Sequence, residues 1–448
     1  MSAVFSFDDD DLGRPDPGGV LGVEDELHML TVSNGRARFL SRNEASDEDD
    51  LDDVPELVNG REQLGVPPSA RTESRLGSSY EVGIDNNYIS SFAGQAGKSE
   101  KKMTPEEFEP LKILGEGTYG KVFLVKQKST GRLFAQKQLK KASMVVEKKK
   151  IEQTKTERAI LESVRHPYIV RLFYALQDSQ KLYLILEYAQ GGELFTHLAM
   201  ERMLSEEVTA FYAAEIVLAL CHLHTNVGVV YRDLKPENCL LDAQGHLVLT
   251  DFGLSKVADD GEACRTFLGT PEYMAPEVLE GKEYGYAVDW WSLGAVCHDL
   301  MTGSPPFRGN NHAKIIEKIK KTKKLNLPYY LSADAKDFLI RLLRKDPNKR
   351  LGHNDIATIK NHRFFRKIDW KALESRSPDV VPPIVPVITD PELAENFSSS
   401  FTSRPLTPED EGSIPIPKNT DVDTSQVFKG FSFTASQSFI ELADHHLN

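Results

Sequence analysis

The chain has 448 residues, an apolar fraction of 40% and a formal net charge of −13, with 54 Lys and Arg against 67 Asp and Glu. That length exceeds one small core and calls for one large two-lobed domain or two domains. The acidic balance argues against general nucleic-acid binding and fits a basic partner or substrate.

Residues 1–107 are acidic, with runs at Asp8–Asp11 and Asp47–Asp53 and few apolar clusters, so they are expected to be mostly disordered. The opening Met-Ser-Ala-Val-Phe-Ser-Phe turns directly acidic and does not read as a signal peptide. From Phe108 the composition becomes dense. Phe108–Leu114, Lys121–Lys126 and Leu133–Leu139 alternate between turn residues and read as strands. Between the first two lies Gly115-Glu116-Gly117-Thr118-Tyr119-Gly120-Lys121-Val122. Its glycines admit backbone amides to phosphate oxygens with no Cβ in the way. A dinucleotide-binding loop would open a helix, but Lys121–Val125 continues as a strand, so the run reads as a flap over a nucleotide.

Lys137 sits on the next strand, where the apolar Ala135 and Leu139 disfavour a solvated surface lysine. A helix is predicted over Glu147–Val164, with Ile151, Thr154, Arg158 and Leu161 near one face. Glu157 is the candidate to orient Lys137 on the α and β phosphates. Glu147 and Glu152 are rivals by spacing, but only Glu157 has Leu161 one turn later, ahead of the His166-Pro167 break. Val170–Leu176 and Leu182–Tyr188 read as strands. Helices are predicted over Ser205–His224, opened by Ser205, Glu207 and Val208, then over Tyr286–Thr302, Ala313–Lys321 and Ala333–Arg344. The implied class is α+β, a sheet-rich lobe followed by a larger helical lobe with a cleft between them.

The chemistry concentrates in Tyr231-Arg232-Asp233-Leu234-Lys235-Pro236-Glu237-Asn238, followed by Asp251-Phe252-Gly253. Phosphoryl transfer needs such a set. Asp233 can accept the proton of an attacking hydroxyl, Lys235 can neutralise the moving phosphoryl group, and Asn238 and Asp251 can hold Mg²⁺. One tripeptide alone would pass for an ordinary polar loop; both motifs in this order do not. Cys221, Cys239, Cys264 and Cys297 form no Cys-x-x-Cys pair, so neither a zinc site nor a disulfide framework is expected. Reduced thiols fit a cytoplasmic or nuclear compartment, and Cys264 reads as an inert thiol rather than a redox group. Residues 366–448 return to Pro, Ser, Thr and acidic residues with isolated phenylalanines. The apolar run Val380–Ile388 is short and carries three prolines, so no membrane insertion is expected.

Together the glycine run, Ala135-x-Lys137, the Asp233 loop, Asp251-Phe252-Gly253, Ala275-Pro276-Glu277, Asp289-Trp290-Trp291 and Arg350 resemble the eukaryotic protein kinases over residues 108–365. The resemblance implies a bilobal kinase fold, with an antiparallel β N-lobe and a mostly helical C-lobe, that uses ATP and Mg²⁺. It also implies that Arg350 pairs with Glu277 to anchor the activation segment. Lys235 resembles serine/threonine rather than tyrosine kinases. Tyr231, standing where His is usual, and Thr266-Phe267-Leu268-Gly269-Thr270-Pro271-Glu272-Tyr273 resemble the AGC group, with Thr266 as the phosphorylated position. In the C-terminal tail, Pro383-Ile384-Val385-Pro386 and Phe397–Phe401 resemble AGC segments that wrap the lobes, although Ser398 and Ser399 stand where acidic residues are usual. Thr407-Pro408 resembles the turn-motif phosphosite. Phe428-Lys429-Gly430-Phe431-Ser432-Phe433 resembles the hydrophobic motif, with Ser432 as its acceptor. Among AGC kinases the tail is most similar to the ribosomal protein S6 kinase family, with its relative of two kinase domains close as well, and the one kinase domain in this chain fits the single-domain type better.

The same resemblance assigns further residues. It places adenine between Val122 and Ala135 above and Leu240 below, its edge bonded by the backbone at Glu187 and Ala189, with Leu186 as gatekeeper. It gives Glu193, Glu237 and Asp299 the role of holding arginines ahead of the acceptor, which implies Arg-x-Arg-x-x-Ser/Thr. Thr270 falls at the same substrate site. Arg232, assisted by Lys256, receives the Thr266 phosphate. A groove lined by Val146, Ile151, Gln177 and Leu182 takes the tail aromatics and orders the Glu157 helix. Burying Phe428, Phe431 and Phe433 contributes roughly 1.5–3 kcal/mol each. Ordering about six residues costs roughly 1–2 kcal/mol apiece, so docking stands near balance and a Ser432 phosphate can tip it. The implied partners are protein substrates with basic motifs, ribosomal protein S6 among them, and upstream kinases of the phosphoinositide-dependent type. Phe5-Ser6-Phe7-Asp8-Asp9 loosely resembles the recruitment signal for the target-of-rapamycin complex. A monomer that binds no nucleic acid is expected. The rival readings are a protein kinase B- or C-like AGC enzyme and a pseudokinase scaffold, the latter disfavoured because every expected catalytic residue is present.

Overall fold

The computed structural model describes residues 103–117, 120–145, 148–257, 270–407, 427–436 and 440. The expectations for residues 1–102 and for Thr118, Tyr119, Val146, Cys264, Thr266 and Pro408 lie outside the described residues.

Five strands come first: β1 (Phe108–Gly117), β2 (Gly120–Gln127), β3 (Leu133–Lys140), β4 (Leu172–Gln177) and β5 (Lys181–Leu186), with α1 (Lys141–Val145) and α2 (Lys148–Ser163) between β3 and β4. Alternation along β2 sends Phe123 and Val125 to an outer aromatic cluster with Phe108, Phe134 and Phe173, and Val122 and Leu124 to the inner, cleft side. Gly120 is needed for packing: a Cβ there would lie 1.9 Å from the Gln138 carbonyl oxygen on β3.

The helical part follows as β6 (Gly192–Glu193), α3 (Leu194–Glu201), α4 (Glu206–His222), β7 (Val229–Val230), β8 (Cys239–Leu241), β9 (Leu247–Leu249), β10 (Lys256–Val257), α5 (Pro276–Leu279), α6 (Ala287–Thr302), α7 (His312–Lys321) and α8 (Ala333–Leu342). Ser205 caps α4, its side chain accepting from the Val208 N–H at 3.2 Å. The helix continues as a π turn over Leu223–Val227 rather than stopping at His224. The stretch Glu206–Val227 is long and apolar enough to cross a membrane, but 72% of its apolar window is buried inside the fold, as a core helix requires. Helices α4, α6 and α8 enclose the main core around Trp290, Trp291 and Phe338.

Arg350 and Glu277 form a buried bidentate pair at 2.6 and 2.9 Å, and Arg350 also donates to the Ala287 carbonyl at 2.8 Å. Removing one partner strands the other charge. Arg350→Ala is therefore expected to cost about 3–5 kcal/mol of stability in a urea melt; a loss below about 1 kcal/mol would show that the pair is not structural.

The tail then runs back over both parts. Tyr168 donates to the Leu373 carbonyl at 2.6 Å, Arg376 pairs with Asp242, and Asn396 donates to the Gln190 carbonyl at 3.2 Å. Gly192, at φ +68, admits this crossing, since a Cβ there would lie 1.9 Å from the Asn396 carbonyl oxygen. Lys126 pairs with Glu392 at 2.7 Å, and Arg404 reaches Glu116 in the glycine run at 2.9 Å. The last strand, β11 (Phe433–Thr434), completes a six-stranded sheet in the order β1-β2-β3-β5-β4-β11, all neighbours antiparallel. Met103, Leu406 and Ile440 pack on the outer aromatic cluster, and Arg132 donates to the Ile440 carbonyl at 3.4 Å.

Candidate active site

Strands β2 and β3 supply Val122 and Ala135 as the roof of a cleft of about 580 Å³, and β8 supplies Leu240 as its floor. Leu186 ends β5 at the back of this cleft, and Glu187, Tyr188 and Ala189 form its hinge. The Glu187 N–H is spent on the Arg171 carbonyl at 2.9 Å, and its carboxylate on the Arg171 guanidinium at 2.6 and 3.0 Å. Its carbonyl and the Ala189 N–H are the groups left for a ligand edge. Phe397 from the tail lines the same cleft and stacks on Tyr188, with ring centroids 5.8 Å apart. Ser398 and Ser399 therefore do not prevent that phenylalanine from entering.

Lys137 pairs with Glu157 on α2 at 2.7 Å and with Asp251 at 3.0 Å. Burial alone would lower the Lys137 pKa, but the two carboxylates outweigh it and hold the ammonium form. Burial pushes the Asp251 carboxyl up; Lys137, Lys235 and the Gly253 N–H outweigh that and hold it below the ordinary range. Asp251 itself lies at φ +54, fixed by its Oδ1 accepting from Gly253 at 3.1 Å. Gly115 and Gly117 end β1 and pair with Val122 and Gly120 on β2.

Asp233 is buried, and Asn238 Nδ2 donates both to its carbonyl at 2.7 Å and to its Oδ2 at 2.9 Å. Lys235 Nζ lies 3.1 Å from the same Oδ2. Burial raises the Asp233 pKa, while Lys235 and the Asn238 hydrogen bond oppose the rise. With its amide nitrogen used on Asp233, Asn238 keeps its amide oxygen, and its backbone carbonyl accepts at 3.1 Å from the N–H of Thr250, the residue before Asp251. Hard oxygen donors such as this amide and the Asp251 carboxylate suit Mg²⁺, which binds few protein ligands and retains water or phosphate oxygens.

Two supports of this loop escaped the sequence reading. Fully buried Asp289 accepts from the N–H groups of Tyr231 and Arg232 at 2.9 and 2.8 Å and is held in turn by His224 at 2.8 Å. The Asp289-Trp290-Trp291 signature had marked the residue without revealing this role. Tyr231 donates its hydroxyl to the Thr250 carbonyl and sets its ring edge on Phe252 at 5.2 Å, which ties the Asp233 loop to the Asp251 loop. Arg232, at φ +68, donates to the Leu254 carbonyl and to the Tyr284 hydroxyl.

Glu237 lies close enough to Asp233, Asp299 and Glu193 for their charges to interact. Asp299 accepts from the Tyr273 hydroxyl at 2.7 Å, and half-buried Thr270 begins the turn Pro271–Tyr273 that carries this tyrosine. Glu193 and Glu237 form no ion pair among the described residues, and Glu237 Oε2 is buried without a hydrogen-bond partner. Burial and the neighbouring Glu237 push the Glu193 carboxyl up to about 8. Burial likewise raises Glu237 and Asp299.

The tail aromatics lie against α2 and β4. Phe428 and Phe431 are buried in the same core cluster as Leu182, with Ile151 packed against it. Gln177 donates to the Phe428 carbonyl at 3.1 Å, and Lys141 lies 5.5 Å above the Phe428 ring. Phe433 departs from the expectation of full burial: it shares a face with buried Phe431 and Ala435 but is only partly covered, with Arg158 5.6 Å from its ring centroid. The motif also pairs with β4, with Phe433 opposite Ala175 and the Ala435 N–H donating to the Phe173 carbonyl at 2.9 Å. Strand addition of this kind supplies backbone hydrogen bonds that the sequence-based balance omitted. Ser432 and Thr407 are exposed.

The protein kinase domain family matches residues 108–365, more than half of the chain. The chain therefore belongs to the protein kinases. Its relatives include the yeast (Saccharomyces cerevisiae) serine/threonine-protein kinase YPK3, 44% identical over 77% of this chain and 77% of that protein. Human ribosomal protein S6 kinase alpha-6 is 46% identical over 75% of this chain and 44% of its own length. The ribosomal protein S6 kinase beta of Caenorhabditis elegans is 44% identical over 83% of this chain and 66% of its own length. The chain thus spans less than two thirds of these two S6 kinases. It is a serine/threonine kinase of the AGC type, related to the S6 kinases and to YPK3.

Proposed function

We propose that the chain transfers the γ-phosphoryl group of ATP to Ser or Thr preceded by arginines, as an S6 kinase-like enzyme of growth and nutrient signalling. Glu187 and Ala189 bind the adenine edge, and Lys137, held by Glu157, orients the phosphates. Asp233 accepts the hydroxyl proton and Lys235 balances the moving charge. Asn238 and Asp251 would hold Mg²⁺, which supplies charge neutralisation on the phosphates when bound. Phosphorylation of Thr266 and Ser432 is the proposed activation, the first through Arg232 and the second through the docked tail. Ribosomal protein S6, which the names of the related S6 kinases carry, is a proposed substrate.

The observation that carries the arginine preference is the set of buried carboxylates Glu193, Glu237 and Asp299, which form no ion pair among the described residues. A guanidinium satisfies such a set bidentately, which a lysine ammonium does not. This reading has a pH signature. With its pKa near 8, Glu193 is largely protonated at neutral pH in the free enzyme and ionised in the complex with arginine. Arginine binding therefore releases a proton, so affinity rises with pH. KM for an Arg-x-Arg-x-x-Ser peptide is expected to fall about tenfold between pH 6.5 and 8.5. A peptide with glutamines in those positions and the Glu193→Gln enzyme should show no such slope. Equal slopes for the two peptides would reject the assignment.

A further inference from the structure

Helix α7 buries Ile315 and Ile319 and turns the rest of its surface outward. From Arg308 to Lys324 that surface carries seven Lys and Arg against a single acid, Glu317. Lys321 takes Glu317 at 2.7 Å, and Lys318 is tied to the Arg308 carbonyl at 2.5 Å. Lys314, Lys320, Lys323 and Lys324 form no ion pair among the described residues. An ordinary solvated helix face in this fold mixes signs. On α8, Asp334 meets Arg366, and Asp337 meets Arg341 and His362. A one-signed ridge in a chain of net charge −13 is a departure from that pattern.

The ridge adjoins the substrate site. Helix α7 packs against the turn Pro271–Tyr273 and against α5. Tyr273 is bonded to Asp299, and Asp299, Glu237 and Glu193 form the acidic cluster. The substrate face therefore passes from a buried acidic end to an exposed basic end.

We infer that α7 is a docking ridge for an acidic segment of the protein substrate, placed beyond its arginines, since α7 packs on the turn that carries Tyr273 and Tyr273 is bonded to Asp299. The enzyme then selects polypeptides whose charge changes sign ahead of the arginines. This rests on the reading of Glu193, Glu237 and Asp299 as arginine receivers. A bilayer or an RNA seated on α7 would cover the adjoining Pro271–Tyr273 turn, whereas a substrate segment passes over both.

The test uses the full chain and the variant Lys314→Gln/Lys320→Gln/Lys323→Gln/Lys324→Gln, whose four positions are exposed. The peptides carry the arginine motif alone, the motif with a block of about six glutamates after the acceptor, or the same block before the arginines. Four exposed pairs at roughly a factor of two each lower KM for the peptide with the block before the arginines on the order of tenfold. That gain should disappear in the variant and in about 0.5 M salt, with kcat and the KM of the short peptide unchanged. The inference is overturned if the block gives no gain, if it works equally from either side, or if the variant loses the short peptide equally. It is also overturned if the variant loses only binding to phosphatidylserine vesicles or poly(U) RNA. A short peptide with glutamines replacing the arginines separates the two readings: if it matches the arginine peptide, the arginine assignment fails, whatever the glutamate block does.

Discussion

Asp233→Asn is expected to lower kcat by about 10²–10⁴ while ATP affinity changes less than about twofold. The amide preserves shape and still accepts from Asn238, which donates to Asp233 at 2.7 and 2.9 Å. It cannot take the hydroxyl proton, and it leaves Lys235 without the carboxylate at 3.1 Å. Nucleotide binding rests elsewhere, on the roof, the hinge and Lys137 with its partners at 2.7 and 3.0 Å. Steady-state peptide kinetics and titration with a fluorescent nucleotide read the two effects separately. A loss in kcat below about tenfold would remove Asp233 from the chemistry.

Phe431→Ala is expected to undock the tail and lower activity by tenfold or more. Phe431 is 3% exposed, and truncating a buried aromatic ring costs about 3–5 kcal/mol. Docking that stands near balance cannot absorb such a loss. The helix that carries Glu157 then loses the packing of Phe428 and Phe431, and the Lys137 pair loosens. Phe433→Ala should do far less, because that ring is half-exposed under Arg158. Hydrogen exchange at β4 and α2, read beside activity, distinguishes undocking from misfolding. Unchanged activity in Phe431→Ala, with β4 protection lost, would make the tail a passive strap.

Much of this fold was legible because the signals are local. Alternation between turns marked β1 to β5, and Ser205 marked the start of α4. The glycine run, Lys137, Asp233, Asn238 and Asp251 were legible because their chemistry demands those residue types at short spacing. Features that arise only from tertiary contact could not be read. The strand β11 is two residues long and exists only because β4 offers it an edge. Asp289 looks like a helix residue in sequence, yet it holds the backbone of a loop more than fifty positions earlier. The Arg171–Glu187 pair joins β4's entry to the hinge and has no spacing signature. Helix α1 (Lys141–Val145) lies ahead of the predicted Glu147–Val164 helix and was not anticipated, because five residues are too few to show a helical period.

The most direct test of the central claim is a positional-scanning peptide library phosphorylated by this chain with Mg²⁺ and ATP. Selection of arginine at the third and fifth positions before a Ser or Thr acceptor, with transfer lost on chelation, is the expected result. Efficient transfer to proline-directed or acid-preceded acceptors, or no metal-dependent transfer at all, would contradict it.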